Sequence, residues 1–211
     1  MINYVNRMIE TTPALTSCAP DIESSIDTIL AMHKNGGKLL LCGNGGSAAD
    51  CEHIAGELLK GFMLLRTPEG ELLDSLAGEF GEVDAKKLQQ GVAAVPLPSL
   101  VGVGSAFCND VDPALVYAQL VLTLGRKEDV LLCISTSGNS KNVVQAAKAA
   151  KALDIRTIAL TGESGGKLKA LCDIAICVPE TETYRVQEYH LPVYHAICAQ
   201  VEETLFGNKE G

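Results

Sequence analysis

Residues 38–57, KLLLCGNGGSAADCEHIAGE, constrain the fold of this chain more than any other stretch. An uninterrupted apolar run with no polar alternation reads as a strand buried on both faces, which in practice means a strand of a parallel sheet covered by helices. The glycine-rich turn that follows leads into a helix-like segment, so the run must feed a crossover connection. Four further apolar runs, at Leu97–Val103, Val130–Ser135, Thr157–Leu160 and Ile174–Val178, repeat the pattern. Between them lie stretches of helical character, Ser47–Phe62, Pro113–Leu124, Ser140–Leu153 and Gly166–Leu171. The expectation is an α/β fold: a three-layer α/β/α sandwich around a five-stranded parallel sheet in flavodoxin-like order 2-1-3-4-5.

At 211 residues the chain is read as a single domain, 1–211. A helix with Ile22, Ile26, Ile29, Leu30 and His33 at helical spacing closes an N-terminal segment, 1–35, and Asn35-Gly36-Gly37 stops it. Residues 66–95 break the rhythm: polar, glycine-spaced and only weakly helical, with a turn or two around Asp84–Gln90. An insertion of that length is either a lid or a disordered excursion. A final helix, Thr183–Leu205, is long enough to lie outside the sheet and carry a subunit contact.

Composition excludes several functions. A formal net charge of −9 without any basic run removes the electrostatic footprint of nucleic-acid binding. No apolar run is long enough for a membrane span. Eight cysteines occur without a CxxC pair, and Cys42, Cys133 and Cys177 fall in expected strands, where a thiol behaves as a small hydrophobe. With no secretory-type leader in the opening residues, a reducing cytoplasm is expected.

Two loops are built for an anion. Gly43-Asn44-Gly45-Gly46-Ser47 turns a strand into a helix, so backbone N–H groups and the helix dipole converge on one point. Ser135-Thr136-Ser137-Gly138-Asn139-Ser140 follows the third expected strand and also opens a helix, adding hydroxyl donors. In order 2-1-3-4-5, strands 1 and 3 are neighbours at the switch point, and both loops line one crevice there. Each loop taken alone is equally well read as a tight connection. Gly43-x-Gly45-x-x-Ala48 also fits the dinucleotide fingerprint, but no acidic residue ends the following strand to hold a ribose. Serine loops lacking lysine suit a phosphate monoester better than a nucleoside triphosphate.

His53 and Glu57, spaced i, i+4, share a helix face and are able to ligate a metal, move a proton or form an ordinary surface ion pair. Gln187 and His195, two turns apart on the last helix, can face the same site. His190 lies on another face of that helix, as a core or interface residue.

Together, CGNGGSAAD, His53 and Glu57, Asn109-Asp110, STSGNS and the Arg185-to-His195 segment resemble the sugar-isomerase (SIS) domain family and, within it, the phosphoheptose isomerases. That resemblance implies a zinc ion, one per subunit, on His53, Glu57, Gln187 and His195, with Glu57 and His195 as catalytic proton shuttles. It implies substrate contacts from Asn44, Gly45, Gly46, Ser47, Glu57, Asn109, Asp110, Ser135, Thr136, Ser137, Ser140 and Gln187. It further implies a phosphorylated sugar as substrate and a homo-oligomer, a tetramer, with sites built across subunits. The chain departs from the family pattern at Gly61, where an arginine is usual, and at Tyr184, where an acidic residue is often found. The sugar is therefore open between a heptulose phosphate and another ketose or aldose phosphate. The competing expectation is a non-catalytic SIS protein that binds a sugar phosphate or acts as a protein adaptor.

Overall fold

The computed structural model describes residues 2–207. Five parallel strands form one sheet: β1 (Leu39–Cys42), β2 (Ala94–Pro96), β3 (Val130–Ser135), β4 (Arg156–Thr161) and β5 (Ile174–Cys177), in the order β2-β1-β3-β4-β5. β1 pairs with β3 from Leu39↔Val130 to Cys42↔Cys133, so the two loops leave adjacent strand ends.

Because strand side chains alternate, each strand feeds two cores. Leu39, Leu41, Val130, Leu132, Ile134, Ile158, Leu160 and Ile176 point to one face. They pack there on α1 (Tyr4–Thr11), α2 (Ala19–Lys34), α3 (Gly46–Leu59) and α10 (Thr183–Phe206). Leu40, Cys42, Leu131, Cys133 and Ala159 point to the other, against α7 (Val116–Leu124), α8 (Lys141–Ala152) and α9 (Gly166–Leu171). This is the three-layer sandwich that unbroken apolar strands require. All eight cysteines are free, and five of them are buried.

Three expectations need correction. The second strand is Ala94–Pro96, not Leu97–Val103; the latter run is a short 3-10 turn, Leu97–Ser99, followed by α6 (Val101–Asp110). Pro98 cannot donate to a ladder, whereas Pro96 is tolerated on an edge strand, where it pairs with Leu41. The insertion holds a full helix, α4 (Gly70–Phe80), and a single turn, α5 (Glu82–Ala85). Leu72, Leu73, Leu76, Ala77 and Phe80 supply a helical stripe that Gly70, Gly78 and Gly81 disguise in the sequence. The last helix does not lie outside the sheet. Ten of its residues are buried, and it packs on α1, α2, α3 and β4.

Candidate active site

The two anion loops stand side by side and are tied together. Asn44 Nδ2 donates to Asn142 Oδ1 at 2.8 Å, and Asn142 Nδ2 donates back to Asn44 Oδ1 at 2.9 Å. Below them the Tyr117 hydroxyl donates to the Gly43 carbonyl at 2.6 Å. Gly45 has φ +56° and ψ −122°, a conformation closed to residues with a Cβ, which allows the chain to double back into α3. Ser47 is buried on the first turn of that helix.

In the second loop, the Ser135 and Ser140 hydroxyls are 3.0 Å apart. Asn139 N–H donates to Ser137 Oγ at 3.2 Å, and Gly162 N–H donates to the Thr136 carbonyl at 2.9 Å. Gly138, with φ +64°, lies where a Cβ would strike the Gly165 carbonyl, so the loop is pinned against the start of α9. No Lys or Arg occurs in 43–47 or 135–140. The available donors are hydroxyls, side-chain amides and backbone N–H groups.

The second half of the site comes from α3 and α10. His53 Nε2 is 3.2 Å from Glu57 Oε1 and 3.4 Å from His195 Nε2. Glu57 is half-buried, its side chain 17% exposed. Burial and the neighbouring His53 lower the His195 pKa, against a smaller opposing pull from Glu57. Gln187, from the first turns of α10, covers Gly46: a Cβ at Gly46 would collide with its amide. Gln187 thus touches the first loop, but no hydrogen bond joins it to His53, Glu57 or His195 among the described residues.

Three residues missed by sequence reasoning complete the setting. Tyr194, 2% exposed, places its hydroxyl 3.0 Å from His53 Nδ1 and 3.3 Å from Asp50 Oδ1. Asp50 Oδ2 is buried without a partner. Burial raises the Asp50 pKa, and the Tyr194 hydrogen bond and His53 partly offset this. The third is Asn142, whose amide completes the pair with Asn44. Asp50 lies i−3 from His53, a signal available in the sequence; Tyr194 adjoins His195 and gave none. Asn109 and Asp110 sit exposed at the end of α6, and the hydrogen bond found for them is with each other, Asn109 Nδ2 to Asp110 Oδ1 at 2.8 Å. Among the described residues, no hydrogen bond joins them to either loop.

Comparison with known proteins agrees with this architecture. Residues 3–93 and 89–162 match the SIS domain family. Phosphoheptose isomerase of Helicobacter hepaticus is 36% identical over 197 residues, covering 93% of this chain and 89% of that protein. Phosphoheptose isomerase 2 of Campylobacter jejuni is 41% identical over 184 residues, covering 87% and 80%. The solved structure of the Neisseria gonorrhoeae phosphoheptose isomerase superposes with a TM-score of 0.74 at 34% identity, covering 94% of this chain and 93% of that one. Sheet order, paired serine loops and helix-borne histidines thus define a SIS-domain sugar-phosphate protein. Within that class, the chain belongs to the phosphoheptose isomerase family.

Proposed function

We infer that this enzyme interconverts an aldose and a ketose phosphate, sedoheptulose 7-phosphate and D-glycero-D-manno-heptose 7-phosphate or a closely related pair. The observation that carries the reading is the approach of His53 to both Glu57 and His195, on a helix that opens directly from the first glycine loop, where Gln187 covers Gly46. The loops hold the phosphate through Ser47, Ser135, Thr136, Ser137 and Ser140 and the N–H groups at the start of α3 and α8, with Asn44, Gly45 and Gly46 closing the turn over it. Asn109 and Asp110 belong to this reading as contacts from the rim.

Among the described residues, no complete cage of three or more His, Cys, Asp or Glu side chains surrounds one point. The chemistry of the donors nevertheless fits zinc. Tetrahedral bonds of about 2.0–2.2 Å separate ligands by about 3.3–3.5 Å, close to the 3.2 and 3.4 Å found here. His53, Glu57, Gln187 and His195 would hold the ion, one per subunit, and it would supply Lewis-acid stabilisation of charge developing on the sugar oxygens. Glu57 takes the proton from C1 of the ketose and returns it to C2, while the largely neutral His195 passes the hydroxyl proton from one oxygen to the other. No atom is gained or lost, as isomerisation requires.

Incubation with pentose, hexose and heptose phosphates, followed by NMR in deuterated solvent, tests this reading. The expected result is heptose phosphate isomerisation with solvent deuterium at the exchanged carbon; the absence of any isomer across the panel would overturn it. Glu57→Gln should abolish turnover while the far-ultraviolet circular dichroism stays unchanged.

We further read the protein as cytoplasmic and homo-oligomeric, with a tetramer as the family's pattern. Among the described residues no helix is long and apolar enough to cross a membrane. Next to His195, a mainly apolar pocket of about 320 Å³, lined by Met8, Phe62, Met63 and Ala196, supports association of copies at the site. Light scattering of the purified protein gives the subunit number.

A further inference from the structure

We propose that Tyr194 is a positioning residue that fixes the tautomer of His53, leaving the Nε2 lone pair free to face Glu57 and His195. The inference rests on the reading of His53 as a metal ligand. Its geometry is a three-member chain: Asp50 Oδ1, the Tyr194 hydroxyl at 3.3 Å, and His53 Nδ1 at a further 3.0 Å.

The direction of the hydrogen bonds in this chain follows from a count of donors. A carboxylate only accepts, and Tyr194 has one proton to give. Asp50 Oδ2 is buried and unpartnered, so the Tyr194 O–H is the one side-chain donor found for this carboxylate. Were the hydroxyl to point at His53 instead, both Asp50 oxygens would lack a partner, at a cost on the order of a few kcal/mol. Glu57 Oε1, 3.2 Å from His53 Nε2, is the competing acceptor, but its side chain is 17% exposed and reaches water, whereas Asp50 Oδ2 is buried and unpartnered; the Tyr194 proton therefore goes to Asp50, and the Tyr194 oxygen accepts from His53 Nδ1–H. A neutral imidazole carries one N–H, which leaves Nε2 as a lone pair. That nitrogen is the one 3.2 Å from Glu57 Oε1 and 3.4 Å from His195 Nε2.

Burial keeps the arrangement in register. Tyr194 is 2% exposed, and its ring meets the His53 ring edge-on with centroids 5.3 Å apart. The imidazole is held in plane position by packing as well as by the hydrogen bond. Asp50 and His53 come from one turn of α3, whereas Tyr194 reaches across from α10. The relay thus depends on the spacing of the two helices and reports it to the ligand.

The test is made on metal-free, histidine-¹⁵N-labelled protein by two-bond ¹H–¹⁵N correlation, with His53 assigned through His53→Gln. The expected wild-type spectrum shows Nδ1 protonated and Nε2 bare. An Nε2–H tautomer in the wild type would overturn the proposal. Tyr194→Phe should release His53 into a mixture of tautomers and weaken zinc about 10- to 100-fold in chelator competition, the usual cost of losing a partner behind a ligand. An unchanged tautomer and unchanged zinc affinity in this variant would also overturn it. Should Tyr194→Phe fail to fold, Asp50→Asn serves instead: its amide can donate to Tyr194 and reverse the chain, giving Nε2–H. Retention of Nδ1–H there counts against the relay. A wild-type protein that takes up no zinc overturns the metal reading alone, since Nδ1–H in that same protein still supports the relay.

Discussion

Gly46 is the residue at which the first glycine loop and α10 touch, and it has no room for one more carbon. Its backbone is not left-handed, so alanine is conformationally allowed there; the collision is with the Gln187 amide, the far end of a flexible side chain. Gly46→Ala should therefore leave the melting temperature nearly unchanged while displacing Gln187 from its place. The expected loss in kcat/KM is about 10- to 100-fold, the scale of an ångström-sized misplacement in a preorganised site. Steady-state kinetics beside a thermal melt checks both halves. His190 offers a residue-scale test of stability. It is fully buried, neither ring nitrogen meets hydrogen-bond geometry, and burial depresses its pKa to about 4 from 6.5. The Thr161 backbone pulls the other way without forming a good bond. Between pH 6.5 and 4 the unfolded chain binds a proton that the folded chain refuses. Stability is thus complete above pH 6.5 and falls as the pH drops toward 4, by on the order of 3 kcal/mol. Urea titrations across that window should show this slope, and His190→Leu should flatten it.

At the scale of elements, the turn after α3 is clamped by α10. Glu202, fully buried, accepts from the N–H groups of Phe62, Met63 and Leu64 and from Arg66 Nε at 2.7 Å. Arg66 in turn donates to the carbonyls of Glu57 and Leu58, closing the end of the helix that carries the Glu57 side chain. Removal of one partner strands a buried charge, so Glu202→Leu should cost about 3–5 kcal/mol, read as a lowered midpoint in denaturant. None of this was legible in advance: Arg66 stood at the edge of an insertion and Glu202 near the end of the last expected helix, 136 residues apart. The strands and the loops were legible, because unbroken apolar runs and glycine turns are local signals. β2 was misplaced by three residues since the apolar run continues past its end, with Pro96 inside the strand and Pro98 in the turn beyond it, and α4 was hidden by glycines that the helix tolerates. His53 and Glu57 announced themselves by spacing, and Asp50, three residues before His53, carried a similar signal, whereas Tyr194 and Asn142 act through contacts between elements and left no local mark. Asn109 and Asp110 came from resemblance alone, and their place on α6 brings them to no hydrogen-bonded partner in the loops.

For the whole molecule, charge and function stand in an unusual relation. The protein carries a net charge of −9, and the loops proposed to take its anionic substrate hold no cationic side chain. Recognition is then carried by oriented dipoles, N–H and O–H groups fixed by the fold, which act at contact distance and are little affected by dissolved ions. The long-range field does the opposite of steering: it repels the approaching phosphate until it is within reach of the loops. Added salt should therefore weaken the repulsion without weakening the grip. Raising ionic strength from low to physiological values is expected to hold KM constant or lower it, where a site lined with lysine and arginine would show KM rising. The hydroxyl loops would make this an enzyme that finds its substrate more easily in a crowded, salty solution than in dilute buffer.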